Sequence, residues 1–336
     1  MNIGEQHPEQ GPLRPPSEAR SLLIRVVRNC PWNRCSFCPA YKREKFSLRK
    51  TEDVIAEIEQ WASEAGQSKV STAFLQDGDS LIVPVESLLI ILETIRKRLP
   101  SVTRITAYAR SRTILQRPVE VLKKLREAGL SRIHIGIESG CDEVLEFVNK
   151  GATSAMHLEA CNRVIDAGIE VCCYVMPGLG GRRWSEKNAL DTGRLIAAIL
   201  PQHVRLRTCF VLEGTPLAQA YLDGKFEPLS DEEVVREIRL FLGQLKDTKT
   251  EFISDHRMNL LLELNGNLPE DYQRLMDIID RFLGLSAEMK KLFITGRRLN
   301  IIRRLDELVS DDVIARIKAN AHLYDPRIPT PKNILY

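Results

Sequence analysis

An α/β fold around a parallel sheet is what this sequence predicts, and three observations predict it. From residue 20 onward, short runs rich in β-branched and aromatic residues alternate with longer amphipathic stretches. The runs recur roughly every thirty residues, a spacing that leaves room for a crossover helix between parallel strands. Capping residues punctuate the pattern: Thr51-Glu52-Asp53 opens one amphipathic stretch, and Gly129 and Gly168 close two others.

In chain order, strands are expected over residues 22–27, 69–75, 104–108, 132–137, 170–175 and 203–210. Helices are expected over 51–65, 85–98, 119–128, 142–148, 154–167 and 185–200. Residues 1–19 hold Pro8, Pro12, Pro15 and Pro16 among charged residues and read as a flexible arm or a covering extension. After Pro216 the pattern changes. Residues 229–248, 270–284, 286–295 and 311–321 read as helices, with no convincing strand between them. The expected organisation is therefore an arm over 1–19, a core over 20–217 and a helical C-terminal extension over 218–336.

Composition narrows the function classes. The 336 residues are 43% hydrophobic and 28% charged, as in an ordinary globular protein. A formal net charge of +3 is too small to argue for nucleic acid by itself. No apolar run is long enough to span a membrane, and residues 1–19 lack the apolar centre of a signal peptide. A cytoplasmic setting is expected, in which the eight cysteines stay reduced.

Three of those cysteines fall within nine residues, as Cys30-Pro31-Trp32-Asn33-Arg34-Cys35-Ser36-Phe37-Cys38, a C-x4-C-x2-C spacing. The triplet follows the first strand-like run, Leu22-Leu23-Ile24-Arg25-Val26-Val27, and so occupies a loop at a strand's C-terminal end. Thiolates packed this closely suit one inorganic centre. Zinc prefers four Cys or His ligands, commonly as two separated pairs, and there is no second C-x2-C. A [4Fe–4S] cube held by three cysteines keeps one iron open for a ligand. A zinc clip and an inert cysteine cluster are the competing readings.

The triplet, with Phe37 just before its last cysteine, resembles the cluster loop of radical S-adenosylmethionine (radical SAM) enzymes. The commonest spacing in that family has one residue fewer between the first two cysteines. The resemblance covers about residues 20–217 and implies an open (β/α)6 barrel, a partial TIM-like barrel, in place of a doubly wound sheet. It also implies a [4Fe–4S] cluster on Cys30, Cys35 and Cys38, SAM as co-substrate, and Phe37 near the adenine. An external electron donor of flavodoxin or ferredoxin type belongs to the same implication.

Further segments match the family's order. Gln76-Asp77-Gly78-Asp79-Ser80 stands where a glycine-rich acidic turn meets the amino group of SAM, although a plain turn after a strand explains it too. His134-Ile135-Gly136-Ile137-Glu138-Ser139-Gly140 resembles a segment of the coproporphyrinogen dehydrogenase and tRNA methylthiotransferase branch. There, residues at the Glu138 and Ser139 positions approach SAM, and a basic residue twelve places beyond Glu138 pairs with its carboxylate. This chain has Lys150, which keeps the charge without arginine's fork. Gly178, in Met176-Pro177-Gly178-Leu179-Gly180-Gly181, is expected against the adenine, and Gly214-Thr215-Pro216-Leu217 resembles the turn that ends the core.

Other groups remain open between two readings. Arg110 and Arg112 either neutralise a substrate anion or sit solvated. Cys141, Cys161, Cys172, Cys173 and Cys209 read chiefly as small core residues, with a second cluster of the kind some radical SAM enzymes hold as the lesser reading. Asp255, His256 and Asn259 form a polar knot that is structural or faces the ligand. Arg297, Arg298, Arg303 and Arg304 read as a solvated helix face, with tRNA or an acidic partner as the other reading. The catalytic residues and the substrate are not specified. A small molecule, a peptide and an RNA all suit an open barrel, so an RNA-modifying radical SAM enzyme is the alternative, with a zinc-bound nucleic-acid module behind it.

Overall fold

The computed structural model describes residues 9–324 apart from residues 12, 43–44 and 65–69. Ten strands follow in order: β1 (Leu22–Arg25), β2 (Val27–Arg28), β3 (Ser47–Leu48), β4 (Thr72–Gln76), β5 (Arg104–Tyr108), β6 (Leu130–Glu138), β7 (Glu170–Val175), β8 (His203–Leu206), β9 (Thr250–Ile253) and β10 (Gly266–Leu268). The first six α-helices are α1 (Thr51–Glu64), α2 (Val85–Arg98), α3 (Ser111–Leu115), α4 (Val119–Glu127), α5 (Asp142–Phe147) and α6 (Ser154–Asp166). They are followed by α7 (Gly181–Ile199), α8 (Pro216–Leu222), α9 (Asp231–Gly243), α10 (Tyr272–Leu283), α11 (Ala287–Arg298) and α12 (Asp311–Asn320).

The main sheet has eight strands in the order β1-β4-β5-β6-β7-β8-β9-β10. Pairings β1–β4, β4–β5, β5–β6 and β8–β9 are parallel, and β10 runs antiparallel to β9. The order never reverses along the chain. This is the singly wound connectivity expected of a (β/α) barrel, and it differs from the reversal that defines a doubly wound sheet. Strands β2 and β3 form a separate antiparallel pair.

The chain divides into two compact units, crossing between them within β6 and β7. The first holds the residues up to Arg34 with Ala40–Gly136 and Ala155–Cys172. Its helices α1 and α2 pack together, and α2 buries Leu88, Ile91, Leu92 and Ile95, one stripe at helical spacing. Each such side chain contributes roughly 2 kcal/mol on burial. Along β4 to β6 one face carries Ala73, Leu75, Ile105, Ala107 and Ile133, and the other carries Phe74, Tyr108 and His134, whose rings meet edge to face.

The arm lies on this unit. Glu18 is fully buried, accepts from Ser21 Oγ at 2.5 Å and stands 3.3 Å from His134 Nε2. Burial would raise its pKa, but the bonds from His134 and Ser21 outweigh that and bring it to about 2. Gln76 holds the arm farther up, accepting from Gly11 N–H at 3.1 Å and donating to the Leu13 carbonyl at 2.8 Å. The expectation for residues 1–19 falls partly outside the described residues, which leave out residues 1–8 and 12.

The second unit holds Cys35–Pro39, Ile137–Ser154 and Cys173–Tyr336. Here α9 starts with a reciprocal capping box between Ser230 and Glu233, and its buried Val234, Val235, Ile238, Phe241 and Leu242 pack on α7. The helix expected from residue 185 is the regular part of α7, which breaks at Trp184 after a first turn at Gly181. Past Pro216 the described residues hold helices α8 to α12, and β9 and β10, where no strand is expected, extend the sheet. They are four and three residues long, too short to print an alternation on the sequence.

The arginines near the C-terminus do not form one solvated face. Arg297 is buried and donates to the carbonyls of Leu260 (2.8 Å), Asn259 (2.9 Å) and Ile302 (3.2 Å). Arg298 pairs with Asp231 and donates to the Met258 carbonyl. Only Arg303 and Arg304 are exposed. Three carbonyls turned inward need a fork of donors, and a buried guanidinium supplies it.

Candidate active site

In the first unit the loop after β1 and the turn after β4 meet. Asp77 is fully buried; its Oδ2 accepts from Arg25 Nε at 2.9 Å and from Asn29 N–H at 3.0 Å. Asn29 is left-handed at φ 73°, and its side chain accepts from Cys30 N–H at 2.6 Å while donating to the Tyr41 carbonyl at 3.1 Å. Gly78 packs close behind: a Cβ there would stand 3.1 Å from Cys30 Cβ. Asp79 is buried too, and accepts from the Thr113 hydroxyl and from Arg110 N–H at 3.3 Å. Burial pushes its carboxyl up to about 6. Both carboxylates expected at the SAM amino group are thus engaged by protein donors. The guanidinium groups of Arg110 and of the exposed Arg34 lie over the Trp32 ring at 5.1 Å and 5.2 Å, and Arg112 is exposed.

The other half of the cysteine loop belongs to the second unit. Ser36 N–H donates to the Val148 carbonyl at 2.9 Å, and Leu217 N–H donates to the Ser36 carbonyl at 2.9 Å. Phe37 inserts between them into an apolar cluster with Val144, Val148, Met176, Leu179 and Leu217, against which Cys35 and Cys38 pack. The Gly214–Leu217 turn therefore anchors this loop. Thr215 caps α8 with its hydroxyl, and Pro216 follows at the first helical position.

At the end of β6, Glu138 adopts a left-handed φ of 65° and its Oε1 accepts from Lys150 Nζ at 2.9 Å. The two polar residues of the β6 motif thus meet each other. Ser139 turns inward instead: it is buried, donates to Asn188 Oδ1 at 2.5 Å and accepts from Cys141 N–H at 2.9 Å. Asn188 donates to Glu237 Oε1 at 2.8 Å, and the same carboxylate takes Gly178 N–H at 2.8 Å and Ser185 Oγ at 2.5 Å. Gly178 has φ 85°, which is why glycine stands there. Ser139 and Gly178 are therefore joined through Asn188 and Glu237 in one buried network. Desolvation raises the Glu237 pKa. Glu138, Met176, Pro177, Asn188 and Glu237 line a small cleft.

The sequence reading missed Glu237, Arg25 and Asn29. Glu237 carries no signal, since an acid on an amphipathic helix usually faces water. Arg25 did carry one, a charge inside an apolar strand run. Asp255, His256 and Asn259 divide: Asn259 is structural, accepting from Thr208 N–H at 2.8 Å and donating to the Leu206 carbonyl at 2.9 Å. Asp255 pairs with Arg205, and burial with the charges of Arg207 and Arg257 lowers His256 to about 4.

No disulfide joins cysteines among the described residues; Cys30, Cys35, Cys38 and Cys209 are half-buried, whereas Cys141, Cys161, Cys172 and Cys173 are buried in the core. Among the described residues, no group of three or more His, Cys, Asp or Glu side chains is arranged to hold a metal ion. By donor chemistry the triplet fits an iron–sulfur centre, with three soft thiols on one loop whose two halves are each pinned to a strand or helix end. No helix among the described residues is long and apolar enough to cross a membrane.

Comparison with known proteins identifies the family. The Radical SAM superfamily profile matches residues 24–193. The uncharacterized protein YtqA of Bacillus subtilis (strain 168) is 24% identical over 205 residues, which cover 60% of this chain and 63% of that protein. The tRNA uridine(34) acetyltransferase of Methanocaldococcus jannaschii is 26% identical over 115 residues, covering 34% of this chain and 21% of its own length. The chain thus spans less than two thirds of either relative. The solved structure of the cobalamin-dependent S-adenosylmethionine radical enzyme OxsB superposes with a TM-score of 0.54 at 15% identity, covering 94% of this chain and 52% of that one. At that identity the likeness is one of fold.

Proposed function

Because this chain belongs to the radical SAM superfamily, whose enzymes use a [4Fe–4S] cluster and SAM, we propose that Cys30, Cys35 and Cys38 are its cluster ligands and that it generates a 5′-deoxyadenosyl radical. The observation that carries this reading is the thiol triplet, on the loop after β1 and inside the matched stretch. When bound, the cluster and SAM supply a one-electron cleavage of the sulfonium and a carbon radical that abstracts hydrogen from a substrate.

The chain's own residues bind and orient. Three thiolates leave one iron without a protein ligand. Phe37 fixes the Cys35–Cys38 half of the loop in the apolar cluster and keeps water from its inner side. Glu138 and Lys150 form a carboxylate–ammonium pair beside the β6 end, and opening it offers each charge to the complementary group of a bound amino acid. Asp77, Gly78 and Asp79 shape the turn behind Cys30, while Ser139 and Gly178 hold their loops through Glu237.

The substrate stays at the level of class. An RNA substrate is the second reading, supported by the tRNA-directed name of the Methanocaldococcus relative. A flavodoxin- or ferredoxin-type electron donor and a cytoplasmic setting complete the proposal. The test is anaerobic reconstitution followed by SAM and dithionite. About four irons per chain and release of 5′-deoxyadenosine are expected, both lost in Cys35→Ala. Cleavage that persists in Cys35→Ala sinks the assignment, and a colourless zinc protein with salt-sensitive RNA binding replaces it by the nucleic-acid module.

A further inference from the structure

Asp77 stands where the resemblance puts a contact to the amino group of SAM, yet its carboxylate is fully closed off from solvent and turned toward the cysteine loop. We propose that Arg25, Asp77 and Asn29 are positioning residues for Cys30, and that the N-terminal arm completes this relay through Glu9. The inference rests on the proposed role of Cys30 as a cluster ligand.

The relay is continuous. Glu9 Oε1 accepts from Arg25 Nη1 at 2.8 Å, and Arg25 Nη2 stands 2.7 Å from Asp77 Oδ2. That oxygen also accepts Asn29 N–H, and Asn29 Oδ1 in turn accepts Cys30 N–H. The left-handed φ of Asn29 turns the chain so that its own side chain reaches Cys30 N–H, a conformation Asn tolerates better than most residues. A carboxylate that accepts both a guanidinium and a backbone N–H makes charge-assisted bonds, so the loop start is held more firmly than an ordinary turn.

The arm closes the relay from outside. Glu9 also takes Arg28 Nη2 at 2.7 Å and lies 3.3 Å from Arg49 Nε, so one carboxylate gathers three arginines. Gly11 lies directly on Asp77: a Cβ there would come within 1.5 Å of Oδ1, so any side chain displaces either the arm or the carboxylate. On the far side Gly78 leaves room for Cys30, with Tyr41 next to both. Asp77 is thereby boxed by the arm, by Arg25 and by the loop it holds. This geometry directs the carboxylate at Arg25 and at the N–H of Asn29, the residue just before the first cysteine.

The test compares wild type, Asp77→Asn and Gly11→Ala, the last of which perturbs the arm without changing a relay side chain. In cluster-free protein, alkylation of each thiol is followed by peptide mass spectrometry, with Cys35 and Cys38 as internal references. Loss of the charge-assisted bonds is expected to speed labelling of Cys30 about tenfold relative to the other two in Asp77→Asn. A smaller change in the same direction is expected for Gly11→Ala. After reconstitution, the electron paramagnetic resonance signal of the reduced cluster is expected to shift in both variants. Unchanged Cys30 labelling and an unchanged signal in both variants overturn the inference. If wild type holds no iron, the assignment of the cluster fails, while the labelling ratio still decides whether Asp77 positions Cys30.

Discussion

Lys150 Nζ lies 2.9 Å from Glu138 Oε1, with both side chains nearly closed to solvent at 13% and 12% exposure. Twelve residues separate them in sequence, and the short helix α5 between them brings the second back over the end of β6. Removing one member of such a pair leaves a charge stranded, whereas removing both costs much less. Lys150→Met is therefore expected to lower stability by about 3 kcal/mol, and Glu138→Gln with Lys150→Met to recover at least half of that. Urea unfolding of the cluster-free single and double variants measures the coupling. Additive losses would mean that the two charges do not depend on each other.

Gly140 follows the same strand end and faces a different constraint. Its N–H donates to Thr192 Oγ1 at 2.8 Å, and a Cβ at its position would stand 2.5 Å from the Asp191 carbonyl oxygen. The obstacle is backbone of α7, which no side-chain rotation relieves. Gly140→Ala is expected to cost about 3 kcal/mol, the upper range of overpacking. Gly243→Ala serves as its control, since that exposed glycine ends α9 with nothing within 4 Å of an added Cβ. The control is expected to be neutral or to gain up to about 1 kcal/mol. Thermal unfolding of both separates close approach from glycine's general flexibility.

What could be read in the sequence was set by how local the cause is. The strands over 104–108 and 170–175 and the helix over 85–98 are reproduced to the residue, because each carries its own periodicity and its own stop signals. The β2–β3 pair, β9 and β10 are too short for that, and depend on partners elsewhere in the chain. The candidate site divides in the same way. A thiol triplet announces itself within nine residues, and Glu138 and Lys150 stand only twelve positions apart. The direction in which Asp77 points is not so local, because it is decided by Arg25, 52 positions earlier. Likewise the inward turn of Ser139 depends on Asn188, 49 positions later, and its periodicity is that of any strand end.

Two ionisable groups, the buried Asp79 and the half-buried His256, oppose one another in their effect on pH stability. Burial holds the Asp79 carboxyl at about 6, above its ordinary 3.8, so the folded protein binds this proton more tightly than the unfolded chain does. Stability from Asp79 is therefore full below pH 3.8 and falls as pH rises through about 6. Burial, with Arg207 and Arg257, holds His256 at about 4, below its ordinary 6.5, so its contribution grows as pH climbs through the same range. Asp79→Asn is expected to make stability rise more steeply with pH between about 4 and 6, and His256→Asn to make it rise less or fall. Urea midpoints across that window read both slopes. Identical slopes in wild type and Asp79→Asn would remove Asp79 from the account.

The C-terminal arginines offer a separation of structure from binding. Arg297, at 3% exposure, donates to three carbonyls that the turn after β9 and the end of α11 leave facing inward. Desolvation pulls its pKa down to about 10, yet it remains charged at neutral pH. A lysine at this position keeps the charge but reaches at most one or two of the carbonyls, and each unmet carbonyl in a closed interior costs about 1–3 kcal/mol. Arg297→Lys is accordingly expected to lose about 2–3 kcal/mol in chemical denaturation. Arg303, which is exposed, is expected to change by less than about 0.5 kcal/mol on Arg303→Ala. If the cluster served an acidic partner instead, the ranking would reverse in a binding assay: Arg303→Ala would weaken capture of tRNA or of an acidic protein, and Arg297→Lys would leave stability untouched. A large stability loss at Arg297 alone assigns it to the fold and leaves only Arg303 and Arg304 as candidates for any partner.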